Sequence, residues 1–193
     1  MTLVELLVTM SLLLVVGAMF MTILASVQKG VVRQSDRSND NDQARLAVQE
    51  LDREIRSGNV LYDPAAEPAP FVAGYSLRVY TQTNASTRTP GNQCVQWRIT
   101  GTQLQRRAWA MTDPAGTVSA WRIVAENVVN VSQNVPAFVL DPDTSKGGRI
   151  VNVAIVTQTK ASSGKPVRIS AAITGRNTQY GYPNSVCNTI PPA

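Results

Sequence analysis

The sequence predicts an α+β fold, a long amino-terminal α-helix packed on an antiparallel β-sheet domain. Three observations carry that expectation. Residues 1–57 contain no proline and open on an apolar run from Met1 to Val27. Ala44, Ala47, Val48, Leu51 and Ile55 then recur at three- and four-residue spacing, the mark of a helix lying against a core. Beyond Gly58 the chain becomes short alternating runs divided by Gly, Pro, Asn and Asp. A helix followed only by strands implies a helix covering one face of an antiparallel sheet. The chain divides accordingly into an apolar helix (1–27), its amphipathic continuation (28–58) and a β-rich globular domain (59–193).

Each element has its own sequence warrant. The stretch between Arg33 and Gln43 is crowded with Ser, Asn and Asp, which are poor helix formers, yet no proline interrupts it. Arg45, Gln49, Asp52, Arg53 and Arg56 are placed to face outward, and Gly58 is the helix stop. Tyr75 to Thr83 alternates Leu77, Val79 and Thr81 against Ser76, Arg78 and Tyr80, which reads as a strand. Cys94 to Thr100 and Gln103 to Met111 form a hairpin about Gly101. Ala120 to Gln133, Ala137 to Leu140, Arg149 to Thr159 and Lys165 to Thr174 supply further strands. Turn residues mark loops at Tyr62 to Pro70, Thr112 to Thr117, Asp141 to Gly148 and Ala161 to Gly164.

Glu5 is the one charged side chain between Met1 and Val27. The run is long enough to span a bilayer, which takes about 20 apolar residues. A carboxylate at that depth costs roughly 2.5 to 3.5 kcal/mol on insertion scales, so it implies a partner. A secretory signal peptide carries positive charge before a shorter apolar core. Here the first basic residue is Lys29. A plain anchor flanked by Lys29, Arg33 and Arg37 fits the hydropathy and leaves Glu5 unexplained.

Met1, Thr2, Leu3, Val4, Glu5, Leu6 and Leu7, followed by further apolar positions, resemble the mature amino terminus of type IV pilins and of type II secretion pseudopilins. That resemblance implies removal of a short basic leader by a prepilin peptidase, N-methylation of Met1, and assembly through Met1, Thr2, Leu3, Val4, Glu5 and Leu6. Glu5 would pair with the Met1 amine of a neighbouring subunit, relieving two charges that are each expensive alone in a low-dielectric bundle. It further implies residence in the cytoplasmic membrane before assembly, then in an extracellular filament or a periplasmic pseudopilus. The implied partners are other pilins, the inner membrane and the pilus assembly machinery. The implied fold is the family's lollipop, its helix roughly 80 Å long at about 1.5 Å per residue. Where many members carry a proline near position 22 this chain has Thr22, leaving Gly17 and Gly30 as the weak points of the helix.

The body has a narrower likeness. Residues 44–56, the Trp97 to Arg107 hairpin, the Glu126 to Val131 run and Gly175 to Asn177 resemble J-type minor pseudopilins and minor pilins. A filament shaft subunit, a priming or tip subunit, and a secretion pseudopilin share one architecture and one assembly chemistry.

In a domain displayed outside the cytoplasm the pair Cys94 and Cys187 reads as a disulfide, with two buried free thiols as the alternative. Asp36, Asp40 and Asp42 lack the spacing of an EF-hand. Asp141, Asp143 and Thr144 could ligate calcium, although a turn stabilised by Asp side chains accounts for the same residues. Basic residues outnumber acidic ones beyond Asn59, which raises capture of DNA, with Arg106 and Arg107 as the contacts. Outward charges that merely solvate a sheet face are the competing reading. Histidine is absent, and no nucleophile motif or phosphate loop is present, so the expected chemistry is assembly without catalysis or a required cofactor. Exposed Thr-, Asn- and Pro-rich loops, Thr81 to Gln93 and Tyr180 to Ala193, suit attachment to surfaces, and Asn84 and Asn130 lie in Asn-x-Ser sequons.

Overall fold

The computed structural model describes residues 2–82, 91–112, 115–143, 147–158, 166–176 and 185–192. Helix α1 spans Leu3–Ser57. Two compact units divide the chain, Met1–Asn39 and Asp40–Ala193. The first unit is helical from Leu3 onward, and its apolar side chains are exposed from Leu3 to Val32. The second begins within the segment read as the amphipathic continuation. Ala44, Ala47, Leu51 and Ile55 are fully buried there, as their spacing predicts.

Eight strands follow: β1 Gly58–Leu61, β2 Ser76–Gln82, β3 Asn92–Thr100, β4 Gln103–Ala110, β5 Arg122–Ala125, β6 Phe138–Leu140, β7 Ile150–Thr157 and β8 Val167–Thr174. They form a five-stranded sheet in the order β1-β2-β3-β4-β5 and a three-stranded sheet in the order β6-β7-β8. Every pairing is antiparallel. The hairpin about Gly101, at φ +57°, stands where the sequence put it. One core joins α1 to both sheets: Leu51 and Ile55 meet Leu77, Val79, Val95, Trp97 and Leu104 of the larger sheet and Phe138, Val153, Ile155 and Ile173 of the smaller.

Two elements differ from the sequence reading. Strand β1 leaves α1 with no loop between them, because Gly58 sits where a Cβ would lie 2.5 Å from Val79 Cγ1. The run from Ala120 to Gln133 is a strand over Arg122–Ala125 only. Asn127 and Asn134 adopt φ +55° and +52°, a left-handed conformation that Asn tolerates better than most residues, and they turn the chain out of the sheet. Beyond β5 the chain meets β7 at an isolated bridge, Val128 to Thr157.

Asn130 completes the gap that this turn opens. Fully buried, it donates through Nδ2 to the carbonyls of Val135 (3.0 Å) and Ala154 (2.7 Å), and its Oδ1 accepts from the Val156 N–H (2.8 Å). Its carboxamide therefore stands in for a peptide group beside β7, which rules it out as an accessible sequon. Asn84 lies outside the described residues. Asn130→Ala leaves buried backbone groups unpaired at about 1–3 kcal/mol each. We expect a loss of at least about 2 kcal/mol in equilibrium denaturation followed by tryptophan fluorescence, with an unchanged denaturant slope.

Candidate functional site

The first candidate is the amino-terminal segment. Thr2 precedes the first helical residue and Glu5 occupies the third position of the helix, where the Glu5 carboxylate accepts from the Thr2 N–H at 3.4 Å. This is half of a capping box, and it places negative charge in the first turn, where the helix dipole favours it. Leu3, Val4 and Leu6 beside it are 80%, 69% and 48% exposed. The hydroxyls of Thr9, Ser11 and Thr22 each donate to the carbonyl three residues earlier, at 2.8–2.9 Å, so the helix satisfies its own polar side chains. It is long and apolar enough to cross a membrane by length and composition. Thr2, Leu3, Val4, Glu5 and Leu6 thus stand on an uncovered apolar helix, while Met1 lies outside the described residues.

In the second unit the helix brings charge into the core. Glu54 is buried between the indole of Trp97, which donates to its Oε2 at 2.6 Å, and Arg106, whose Nε and Nη2 reach its Oε1 at 2.7 and 2.5 Å. Arg106 also meets Glu50 at 3.4 Å, and Arg122 pairs with Glu50 from β5. Burial pushes the Glu54 carboxyl above its ordinary range against the opposing pull of Arg106 and Trp97.

The other face of the larger sheet holds three arginines. Register places Arg78, Gln96 and Arg107 in one row across β2, β3 and β4, with Tyr80, Cys94 and Trp109 in the next and Ser76, Arg98 and Gln105 in the third. Arg78 is 6% and Arg107 2% exposed. Arg78 pairs with buried Glu67 at 3.2 Å, lies 4.0 Å from the Tyr62 ring and donates to the Cys187 carbonyl at 2.6 Å. Arg107 bonds Gln96 Oε1 through Nε and Nη2, and its Nη1 and Nη2 donate to the Pro192 and Pro191 carbonyls at 2.7 and 2.8 Å. Trp121 stacks on Arg98 at 3.8 Å and on Arg107 at 4.4 Å. Burial, with Arg98 adding repulsion, holds the Arg107 pKa down to about 10, so it remains charged at neutral pH. Burial likewise lifts Glu67.

Cys94 and Cys187 form a disulfide that ties the tail to β3 across a separation of 93 residues. The chain-entropy account gives a closure of that length about 4–5 kcal/mol.

These positions correct the reading of Arg106 and Arg107 as a nucleic-acid contact. Arg106 faces α1 and is bound by two glutamates, and Arg107 is buried under the tail, so neither offers a free cation to a phosphate. Arg78 is likewise inward. Asp141 and Asp143 share the loop after β6, where Asp141 Oδ1 accepts from the Asp143 N–H at 2.9 Å in an Asx turn. Thr144 lies outside the described residues, and among those described no group of three or more His, Cys, Asp or Glu residues is placed to hold a metal ion.

No protein-family model, characterised protein or solved structure matches this chain. The likeness to pilins therefore stands on the residues quoted for it. The long helix followed by antiparallel sheets is compatible with that likeness.

Glu54, Glu67 and Trp121 were missed by sequence reasoning. Glu54 carried a signal, since it falls three residues after Leu51 on the buried stripe; Glu67 and Trp121 sit in irregular segments with no period to betray them. Truncating Glu54 leaves the Trp97 N–H without its acceptor and Arg106 with Glu50 alone, so Glu54→Ala is expected to cost up to about 3 kcal/mol, the low end for breaking a buried pair, and Glu54→Gln distinctly less. The sign of the pH effect follows from Glu67. The folded chain holds this proton more tightly than the unfolded chain, so the associated stability is full below the ordinary value of 4.5 and is lost as pH rises through the raised value. Denaturation of Glu67→Gln across that window should show a weaker fall in stability with pH than the parent; an unchanged slope would assign the titration elsewhere.

Proposed function

We propose that this chain is a structural subunit of a type IV pilus-like surface filament, held in the cytoplasmic membrane by α1 and assembled by side-by-side packing of its apolar segment. The observation that carries this reading is a helix exposed from Leu3 to Val32 whose apolar start contains one carboxylate, Glu5. An apolar surface of that length calls for lipid or other helices. The carboxylate then selects helices over lipid, because a neighbouring Met1 amine neutralises it while acyl chains do not. Glu5 accordingly sets register during assembly, and a prepilin peptidase and N-methylation of Met1 belong to the same reading. The J-type features of the body favour a minor, priming or tip subunit, or a pseudopilus of type II secretion, as the second reading.

Glu5→Leu separates the two roles of the helix. It should favour membrane partition, by less than the roughly 2.5–3.5 kcal/mol that a charge costs at a helix centre, and at the same time depress incorporation into filaments. Fractionation of membranes and immunoblotting of sheared filaments measure both, and undiminished incorporation of the variant overturns the pairing. In the same preparation, a dominant band beginning with methylated Met1 identifies a shaft subunit, whereas retention in the membrane identifies the minor or secretion subunit.

A further inference from the structure

The face of β2, β3 and β4 turned away from α1 has more hydrogen-bond donors than acceptors. It carries the guanidiniums of Arg78, Arg98 and Arg107 against one buried carboxylate, Glu67. Among the described residues the indole N–H groups of Trp109 and Trp121 and the Gln96 Nε2 are also buried without an acceptor, against one acceptor on this side in the same condition, Glu67 Oε2. A segment that covers such a face should bring carbonyls and no N–H groups of its own. Proline is the residue that does this, since it keeps the carbonyl and lacks the N–H.

The segment that covers it contains Pro191 and Pro192, and both carbonyls accept from Arg107. Phe71, Trp109 and Trp121 stand around the same guanidinium at 4.4–5.6 Å. Aromatic-lined grooves are the means by which folded domains recognise proline-rich peptides, and here Arg107 adds donors to the two proline carbonyls. Moreover, the tail sits as a ligand sits. No backbone hydrogen bond joins residues 185–192 to a strand among the described residues, and the Cys94–Cys187 bond anchors the segment before the prolines begin. Lifting Asn188 to Pro192 leaves both sheets paired.

We propose that this face is a proline-peptide site, filled in cis by Pro191–Pro192 and able to take a consecutive-proline segment from another polypeptide. It is independent of the filament reading.

The test uses the full chain in detergent micelles with Pro191→Ala and Pro192→Ala, which restores two N–H groups and weakens the cis occupant. The probes are the synthetic peptides Asn-Thr-Ile-Pro-Pro-Ala and Asn-Thr-Ile-Ala-Ala-Ala, and the readout is the indole N–H resonances. Those of Trp109 and Trp121 should shift saturably with the proline peptide, about tenfold more tightly than with the alanine peptide. That of Trp97, bonded to Glu54 on the opposite face, should stay still and reports an intact fold. Adding Arg107→Lys should abolish the preference. Equal shifts with both peptides, or none up to on the order of 10 mM, above the millimolar effective concentration of a short tether, overturn the proposal. If the double variant loses its Trp97 signal, the parent chain decides with a spin-labelled proline peptide at that concentration. Broadening confined to Trp109 and Trp121 supports the site, and its absence overturns it.

Discussion

A β-sheet buried on both faces has to find partners for the polar side chains that alternation sends to its second face, and much of the second unit follows from how this is met. Leu77, Val79, Val95, Trp97 and Leu104 serve the core under α1. The same strands turn Arg78, Gln96 and Arg107 to the opposite side, where water is excluded. Buried guanidiniums are tolerable only with acceptors close at hand. Hence the 62–71 segment supplies Glu67 and the rings of Tyr62 and Phe71, the approach to β5 supplies Trp121, and the tail supplies carbonyls. The disulfide holds that last contributor in range.

The helix side solves a smaller version of the same problem. Arg106 lies on the core face because it is registered opposite Trp97, and Glu54 answers both. Glu54 sits on the stripe that the apolar residues define, so one position of α1 exchanges hydrophobic contact for a polar lock to β3 and β4. Breaking such a lock costs more than never having built it, since it leaves a charge in the core.

How much of this was legible in the sequence depended on whether a pattern reports one face or two. The helix, its stripe at Ala44, Ala47, Leu51 and Ile55, and the hairpin about Gly101 were legible because period and turn chemistry are local. The pairing of Cys94 with Cys187 was legible from their number and from the compartment expected for the domain, and it is present. Alternation set Arg78 apart from Leu77 and Val79 but could not say that its face is roofed, because the roof is built from loops and a tail without periodicity, and Arg106 and Arg107, read together as one contact, lie on opposite faces. The apolar run after Ala120 looked continuous, and only the backbone of Asn127 shows where it breaks. Thr2 to Leu6 kept their expected place at an exposed apolar start, while nothing in the second unit bears on their role.

The loopless passage from Ser57 to Gly58 has a mechanical meaning. Tension borne by α1 has no slack to take up before it reaches the sheet, and β1, where it arrives, is a four-residue edge strand with a register slip between Gly58 and Val60. Alone, that strand would peel. The grip of Trp97 and Arg106 on Glu54, one turn earlier, diverts the pull into the two central strands, so β1 is sheltered by a contact that lies upstream of it.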